Sequence, residues 1–350
     1  SGMINGIPWQ ARSAIVGALS TDSAPGGNPI YNPTMPFYSG VASLLITKPA
    51  GTFLCSGSLL DDRRSILTAA HCITNTLGSV NALSATAYFY DGSSSPPYDP
   101  DTIVPGSFLS TAVPISNYFK VPGYSGAVIE NRDLAVVRLA SNAPGFARSY
   151  DLFPNNLTSL SANIAGYGRR SNVGGNVGSN LDAGVLRQGF NRYEYAWGDP
   201  NFNGNFNANF PLGLNTWVSD FDNGLDANDA GCLKAKSANP LLAGNPAYCD
   251  TGLGTIEADI APGDSGGPAF IGDQIATVNS YILTFGQAFG DIDANLNSSF
   301  GEFGGYVPVA PYLDFIDSVK VPGPAPILGA AGLPLWSRQL RRRIRAAKTP

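Results

Sequence analysis

Residues 263–268 read Gly263-Asp264-Ser265-Gly266-Gly267-Pro268, which places a serine among small residues. The glycines favour a tight turn, because glycine adopts backbone conformations that other residues avoid. A turn of this kind presents the serine hydroxyl as a nucleophile and brings backbone N–H groups close to a bound substrate. We therefore predict that the N–H groups of Gly263 and Ser265 stabilise the oxyanion that forms when Ser265 attacks a carbonyl.

The position of the histidine relative to the serine distinguishes two classes of enzyme with a catalytic serine. The pattern G-x-S-x-G also describes α/β-hydrolases, in which the partner histidine follows the serine in the chain. This chain has a single histidine, His71, which lies far upstream of Ser265. The α/β-hydrolase order is therefore excluded.

The composition indicates an all-β protein with additional segments. Only 13% of the 350 residues are charged, whereas the 41 glycines and 27 prolines favour many short strands joined by turns. An all-β domain commonly occupies about 200–250 residues, so part of this chain lies outside such a domain. The net charge of −5 includes six basic side chains in residues 338–350, and the acidic remainder argues against a nucleic-acid partner.

The four cysteines form two pairs that are local in sequence, Cys55 with Cys72 and Cys232 with Cys249. This pairing is one of three possible connectivities, and it predicts two disulfides and an oxidising compartment. Each disulfide would close a loop of about 17 residues and contribute about 3 kcal/mol. Four reduced thiols are the alternative.

Two further residues stand beside apolar strands. The run at residues 66–70 leads to His71, and Asp133 begins the apolar segment 133–139. A carboxylate at that point can accept a hydrogen bond from an imidazole. Each residue alone has a simpler interpretation: His71 as an ordinary core or loop histidine, and Asp133 as a residue that caps the start of a strand. Their occurrence together with Ser265 favours catalysis.

The order His71, Asp133, Ser265 is the chymotrypsin order. In this order and in its motifs, the chain resembles the trypsin/chymotrypsin-like serine peptidase family over roughly residues 37–318. The matching pieces are Cys55-Ser56-Gly57-Ser58-Leu59, Thr68-Ala69-Ala70-His71-Cys72, Arg132-Asp133-Leu134-Ala135, residues 263–268, the second cysteine pair, and Gly304-x-Tyr306-x-x-Val309 before Tyr312-x-x-Phe315-Ile316.

The resemblance implies an all-β fold of two antiparallel six-stranded β-barrels of the chymotrypsin type, followed by a C-terminal helix. We expect an N-terminal arm at residues 1–36 and a peptidase domain at 37–318. The domain contains an Asn/Gly-rich surface insertion at about 171–230, in which Phe and Asn alternate with the period of a strand. A Pro-rich linker and basic tail follow at 319–350.

The resemblance also implies roles for the site residues. Ser265 is the nucleophile, His71 is its general base, and Asp133 orients the imidazole. Asp264 would support the oxyanion hole by pairing with a new N-terminal amine. Neither Ile4 nor Ile15 follows an Arg or Lys, so we expect another group to neutralise Asp264, since burying it unpaired would cost about 3–5 kcal/mol.

Substrate specificity is expected to depend on Asp259, Ser280 and Gly304. Asp259 stands six residues before Ser265, at the position whose carboxylate gives trypsin its preference for Arg or Lys at P1. Ala261 stands where many relatives have a cysteine, and Tyr281 is bulky enough to fill the pocket. A basic P1 preference is therefore an expectation that substrate kinetics must test.

An acidic segment suggests a metal site. Asp220, Asp222 and Asp226 alternate as the ligands of calcium loops do, although the segment fails the EF-hand pattern. A solvated acidic loop is the alternative. The predicted chemistry itself requires no cofactor.

The C-terminal residues resemble a bacterial PEP-CTERM sorting signal, with a Pro-containing motif, a short apolar stretch and a basic end. This resemblance implies export, transient membrane tethering and removal of the tail, so that the protein is secreted or displayed at the cell surface. The alternative is a linker and a basic amphipathic helix that lies on a membrane or partner.

The sequence therefore predicts a monomeric, secreted serine endopeptidase that acts on proteins or peptides. Two other functions remain open at this stage. One is a catalytically silent surface or matrix-binding protein, and the other is an esterase that uses the same three residues.

Overall fold

The computed structural model describes residues 15–22, 27–91, 110–207, 210 and 213–320, and the backbone alone of residues 2–4 and 7–12. The predicted C-terminal sorting tail lies outside the described residues. No helix among the described residues is long and apolar enough to cross a membrane.

The described chain is mostly β-structure, as predicted. The strands are β1 (Gly2–Ile4), β2 (Ile7–Arg12), β3 (Val16–Gly17), β4 (Val41–Lys48), β5 (Gly51–Leu59), β6 (Ser65–Thr68), β7 (Ser84–Tyr90), β8 (Ser110–Lys120), β9 (Ala135–Leu139), β10 (Ser161–Gly166), β11 (Arg187–Arg192), β12 (Tyr195–Ala196), β13 (Trp217–Asp220), β14 (Ala258–Asp259), β15 (Pro268–Ile271), β16 (Gln274–Thr284) and β17 (Phe303–Pro308). The α-helices are α1 (Ala70–Ile73), α2 (Ala230–Ala238) and α3 (Leu313–Val319).

The first half of the molecule is a closed six-stranded antiparallel barrel with the order β4-β5-β6-β9-β8-β7. Alternation along β4 sends Ala42, Leu44 and Ile46 into the core, where each is fully buried. Short turns join β4 to β5 and β5 to β6, so neighbouring strands pair antiparallel. The first predicted barrel is confirmed.

The second half is a curled sheet rather than a second closed barrel. Its strands follow the order β11-β10-β15-β16-β17-β13-β12, and β2 pairs with the end of β16. The arm contributes a second contact, since Val16 and Gly17 of β3 pair with Asp259 and Ala258 of β14. The N-terminal arm is thus partly integrated into the sheet.

The Asn-rich insertion shares an aromatic core with β16 and β17. Phe202, Phe206 and Phe210 are buried in this core. The rings of Phe206 and Phe210 pack against Trp197, with centroids 4.8 and 5.6 Å from it, and Phe202 packs against Phe206. The three phenylalanines are spaced by four residues, and the backbone here forms a 3₁₀-helix at Pro200–Phe202 and successive turns. The alternation of Phe and Asn therefore does not produce a strand here. The chain turns so that every fourth residue, a phenylalanine, is buried.

Both predicted disulfides are present. Cys55 is bonded to Cys72, which connects β5 to α1, and Cys232 is bonded to Cys249, which connects α2 to the segment before β14. At the end of the described chain, the predicted C-terminal helix is α3, and Ile316 buries its side chain against the first barrel.

Candidate active site

His71 lies in the one-turn helix α1, which follows the buried strand β6. Lys48 at the end of β4 holds this turn, because its Nζ donates hydrogen bonds to the carbonyl oxygens of His71 (2.7 Å) and Thr74 (2.8 Å). The imidazole side chain is 21% exposed, so one of its faces is open to solvent. The helix therefore presents His71 at the barrel surface in a fixed position.

Asp133 is completely buried next to His71. Its Oδ2 lies 2.7 Å from Nδ1 of His71, and its Oδ1 accepts a hydrogen bond from the His71 backbone N–H at 2.7 Å. The hydroxyl of Ser280 lies 2.5 Å from the same Oδ2. These contacts fix the ring orientation and favour the tautomer that carries its proton on Nδ1, which leaves Nε2 free to accept a proton.

Ser280, which the sequence predicts to bind substrate, directs its side chain at Asp133. The neighbouring Tyr281 is also turned away from solvent, since its hydroxyl accepts a hydrogen bond from Nε1 of Trp197 at 2.9 Å. Tyr281 packs within the aromatic core of the insertion. Of the two side chains, Ser280 therefore supports the carboxylate and Tyr281 supports the insertion.

Ser265 is held against the first barrel by Ser56 of β5. The Ser56 N–H donates to the carbonyl oxygen of Ser265 at 2.8 Å, and the Ser56 hydroxyl donates to the carbonyl oxygen of Gly263 at 2.9 Å. Gly266 has a φ of +85°, and a Cβ there would lie 2.0 Å from Oγ1 of Thr68. Only glycine permits the turn to approach the barrel this closely.

The Cys55–Cys72 disulfide brings the Ser265 turn close to His71. The Cys72 sulfur lies 4.0 Å from Nε2 of His71 and 3.6 Å from the carbonyl oxygen of Ser265. The two residues, which are far apart in sequence, are therefore gathered at one disulfide.

The turn leaves two N–H groups available. Hydrogen bonds within the turn and to its surroundings use the N–H groups of Asp264, Gly266 and Gly267. Among the described residues, no acceptor is bonded to the N–H of Gly263 or of Ser265. These are the two donors that the sequence predicts for an oxyanion.

Asp264 is completely buried, and backbone amides bind both of its oxygens. Oδ1 accepts from Gly168 at 2.7 Å, and Oδ2 accepts from Ala261 at 3.0 Å. A Cβ at Gly166 or Gly168 would lie within 2.3 Å of the carboxylate, so glycine is needed at both positions. Burial raises the pKa of Asp264 well above its usual range, against the effect of the Gly168 N–H, and nearby Asp259 raises it further.

Asp259 is also completely buried. Its Oδ1 accepts from the N–H of Ile260 at 2.8 Å, whereas Oδ2 has no hydrogen-bond partner among the described residues. Gly304 lies against it, since a Cβ on Gly304 would be 2.3 Å from Asp259 Oδ1 and 2.6 Å from the hydroxyl of Tyr306. Burial, and to a lesser degree Glu257, raises the pKa of Asp259 to about 8.

The predicted calcium ligands are only partly brought together. Asp220 and Asp222 are buried side by side, whereas Asp226 is exposed. Asp229 takes its place, and one carboxylate oxygen from each of Asp220, Asp222 and Asp229 lies within 4.8 Å of the others. We call these three residues the carboxylate cluster.

Three supporting residues were not predicted from the sequence. Asp229 could have been found, because an Asp before the helix-forming segment 230–238 is a typical N-cap. Ser56 and Lys48 act through contacts with residues far away in the chain. No local pattern indicates such contacts.

Comparison with known protein families matches part of this chain. Residues 26–189 match the trypsin family. The match includes His71 and Asp133 and ends before Ser265. Together with the closed barrel and the curled half-barrel, it confirms the predicted chymotrypsin-type fold and supports a serine protease, for which proteins or peptides are the substrates.

Among solved structures, that of HL collagenase is similar to this chain, with 19% sequence identity and a TM-score of 0.48. The similarity covers 80% of this chain and 93% of that one. No curated protein matches the chain.

Proposed function

We propose that this protein is a serine endopeptidase that uses His71, Asp133 and Ser265 as its catalytic residues. The observation that carries the proposal is the pair of hydrogen bonds between His71 and Asp133, placed beside the Ser265 turn by the Cys55–Cys72 disulfide. A geometry in which a base is oriented by a buried carboxylate next to a serine is that of acyl transfer.

The mechanism follows from these positions. Nε2 of His71 takes the proton of the Ser265 hydroxyl as its oxygen attacks the peptide carbonyl. Asp133 stabilises the resulting imidazolium, and the N–H groups of Gly263 and Ser265 donate to the oxyanion. His71 then gives the proton to the leaving amine, and water hydrolyses the acyl-enzyme in a second round of the same steps.

The oxyanion turn in this proposal is maintained without a free N-terminal amine. The Gly168 and Ala261 amides already bind both oxygens of Asp264, and β3 continues across β14 as a paired strand. An N-terminal amine would have to displace these hydrogen bonds. We therefore expect activity in a chain that retains the residues before Ile15.

We further propose that substrates carry Arg or Lys at P1. Asp259 supports this, because its Oδ2 is buried without a partner and a cation that reaches it would form a charge-assisted hydrogen bond. Gly304 lies against this carboxylate, where any side chain would clash with it. Peptides that differ only at P1 test the proposal, and a preference for Phe or Ala over Arg would contradict it.

A fluorophosphonate probe tests the catalytic assignment directly. We expect the wild-type protein to be labelled and to cleave peptides, and we expect neither result for Ser265→Ala. Ser56→Ala serves as a comparison, since it leaves the nucleophile in place and weakens only its support. Absence of labelling in the wild type would favour a catalytically silent binding protein, and labelling with cleavage of esters alone would favour an esterase.

The two disulfides suggest an extracellular protein. Export followed by removal of the basic tail, with transient membrane association before that step, remains our proposal for residues 319–350. Mass spectrometry of both termini of the mature protein tests it. An intact tail on the protein recovered from the medium would contradict it.

A further inference from the structure

The second half of the molecule gathers six carboxylates in one place. Three more carboxylates, from Glu194, Asp250 and Glu257, interact electrostatically with members of the carboxylate cluster. Burial, and to a lesser degree repulsion from the neighbouring carboxylates, raises the pKa of Glu194 and of Asp220 well above their usual range. A protein that buries this much like charge needs a compensating group.

The cluster joins three different structural elements. Asp220 ends β13, Asp222 lies in the loop that follows, and Asp229 is the N-cap of α2, where it accepts a hydrogen bond from Cys232 N–H at 2.7 Å. Asp220 Oδ2 accepts from Gly231 N–H at 2.6 Å. Each of these two carboxylates keeps a second oxygen that no described residue uses.

Asp222 is the decisive member of the cluster. Its side chain is 2% exposed, and its carboxylate makes no hydrogen bond with any described residue. Its Oδ1 is fully buried and unpaired. An isolated buried carboxylate oxygen is costly, and this one lies within 4.8 Å of oxygens from Asp220 and Asp229.

The cations of the described chain do not compensate the cluster. Among the described residues, these six carboxylates form one ion pair, which joins Asp250 to Arg192. Lys236 attracts Asp229 only from a distance. Lys234 of α2 is buried on another side, with Nζ 4.0 Å from the ring centre of Phe285.

We propose that Asp220, Asp222 and Asp229 bind one Ca²⁺ ion. A set of carboxylate oxygens is typical of a hard cation, and Ca²⁺ binds such oxygens at about 2.3–2.6 Å, which places neighbouring ligands within about 5 Å of one another. The nearby sulfurs of Cys232 and Cys249 are bonded to each other and so offer no thiolate. Backbone carbonyls and water complete the coordination.

The ion connects the metal site to the proposed specificity pocket. The N–H of Asp222 donates to Oε1 of Glu257 at 2.8 Å, and Glu257 directly precedes β14, which carries Asp259. On the other side, Asp220 pairs with Phe303, next to Gly304. Calcium binding is therefore expected to stabilise both walls beside Asp259.

Calorimetric titration tests the site in the full-length protein after dialysis against EGTA. We expect CaCl₂ to bind at one site with a Kd of about 10⁻⁴–10⁻³ M, as in extracellular modules. MgCl₂ should bind more weakly, since Mg²⁺ requires near-ideal octahedral geometry. Absence of Ca²⁺ binding, or equal binding of Mg²⁺, would overturn the proposal.

Three variants locate the ion. Asp222→Asn and Asp229→Asn should each weaken Ca²⁺ binding at least tenfold, and asparagine at 229 retains the helix cap, which protects the fold. Asp226→Asn, in the same loop but exposed, should bind Ca²⁺ like the wild type. Equal affinity for Asp222→Asn and the wild type would place the ion elsewhere and overturn the assignment.

Thermal unfolding supplies a second measurement that does not depend on catalysis. CaCl₂ should raise the Tm of the wild type and leave that of Asp222→Asn unchanged. In EGTA, Asp222→Asn should have a Tm no lower than that of the wild type, because the neutral side chain removes repulsion among the carboxylates. A lower Tm for this variant in EGTA would indicate an ordinary structural role and contradict the proposal.

Discussion

The two halves of the molecule differ in what they bury. Among the described residues of the first barrel, the buried charged residues are Glu130 and Asp133, and the other buried polar residues are serines and threonines. Among the described residues, the second half buries many more: Arg170, Arg187, Glu194, Asp220, Asp222, Asp229, Lys234, Glu257, Asp259, Asp264, Asp291 and Glu302.

The difference assigns separate tasks to the two halves. A closed apolar barrel holds its strands rigidly, so one carboxylate, Asp133, suffices to orient His71. In our proposals the second half places a nucleophile, a specificity carboxylate and a metal site, and each of these depends on how a buried acid is paired. Stability in the first half comes from packing, whereas in the second half it depends on partners that differ from acid to acid.

The largest expected effect concerns the acid of the first barrel. Asp133→Asn retains the shape of the side chain but can no longer stabilise an imidazolium or favour the reactive tautomer of His71. We expect kcat/KM for a peptide substrate to fall about 10⁴-fold with little change in Tm. Asp273→Asn, on the exposed surface, is the control and should retain full activity. A loss below tenfold for Asp133→Asn would show that His71 is not oriented by this carboxylate.

A smaller loss is expected at the corresponding acid of the second half. In Asp264→Asn, the amide oxygen still accepts one backbone hydrogen bond. The amide NH₂ faces the second backbone N–H and cannot accept from it, so the Ser265 turn loses part of its support. Its kcat should fall about 10²–10³-fold, which is the effect of losing one oxyanion donor.

The matched control for this change is Glu302→Gln, which alters an equally buried acid that also accepts backbone N–H groups. It should lower the Tm and leave kcat within a factor of a few of the wild type. Equal losses of kcat in both variants would mean that Asp264 contributes to folding alone. Asp264 would then have no particular role at the Ser265 turn.

The last expected effect concerns stability alone, which should depend on pH. The pKa of Asp259 is about 8 in the folded protein and about 3.9 in an unfolded chain. Between these values the folded carboxyl keeps its proton and the unfolded one has lost it, so stability falls as pH rises, by up to about 1.4 kcal/mol per pH unit.

Asp259→Asn removes this contribution. The decrease in Tm from pH 5 to pH 8 should therefore be smaller in Asp259→Asn than in the wild type, whereas the exposed Asp273→Asn should behave as the wild type does. Identical pH profiles for Asp259→Asn and the wild type would show that Asp259 does not hold a proton in the folded state. Scanning calorimetry at the two pH values provides the measurement.

The sequence indicates the first half better than the second, and the reason is physical. Strands of the barrel alternate in hydrophobicity, and His71 lies in a contiguous motif, so local patterns are sufficient. In the insertion, burial of Phe206 and Phe210 against Trp197 overrides the alternation of the sequence. Tertiary contacts decide there, and these are not local.

The carboxylates show the same limit at single-residue scale. The alternate spacing in the sequence predicts Asp220, Asp222 and Asp226 as metal ligands, because an extended loop would place them on one side. The chain instead turns into α2, so that the cap residue Asp229 faces the cluster and Asp226 faces solvent. The partners of Asp264 were not predictable either, because backbone amides carry no sequence signature.

Ser56 has a consequence for how the molecule can be divided. It belongs to β5 of the first barrel, yet its N–H and hydroxyl bind the carbonyl oxygens of Ser265 and Gly263 in the second half. Its hydroxyl also accepts the N–H of Tyr167 at 2.9 Å. We therefore expect the Ser265 turn to acquire its conformation only when both halves are docked. Neither half should be active as a separate fragment, and a chain cleaved between the halves should stay active only while the Ser56 hydrogen bonds persist.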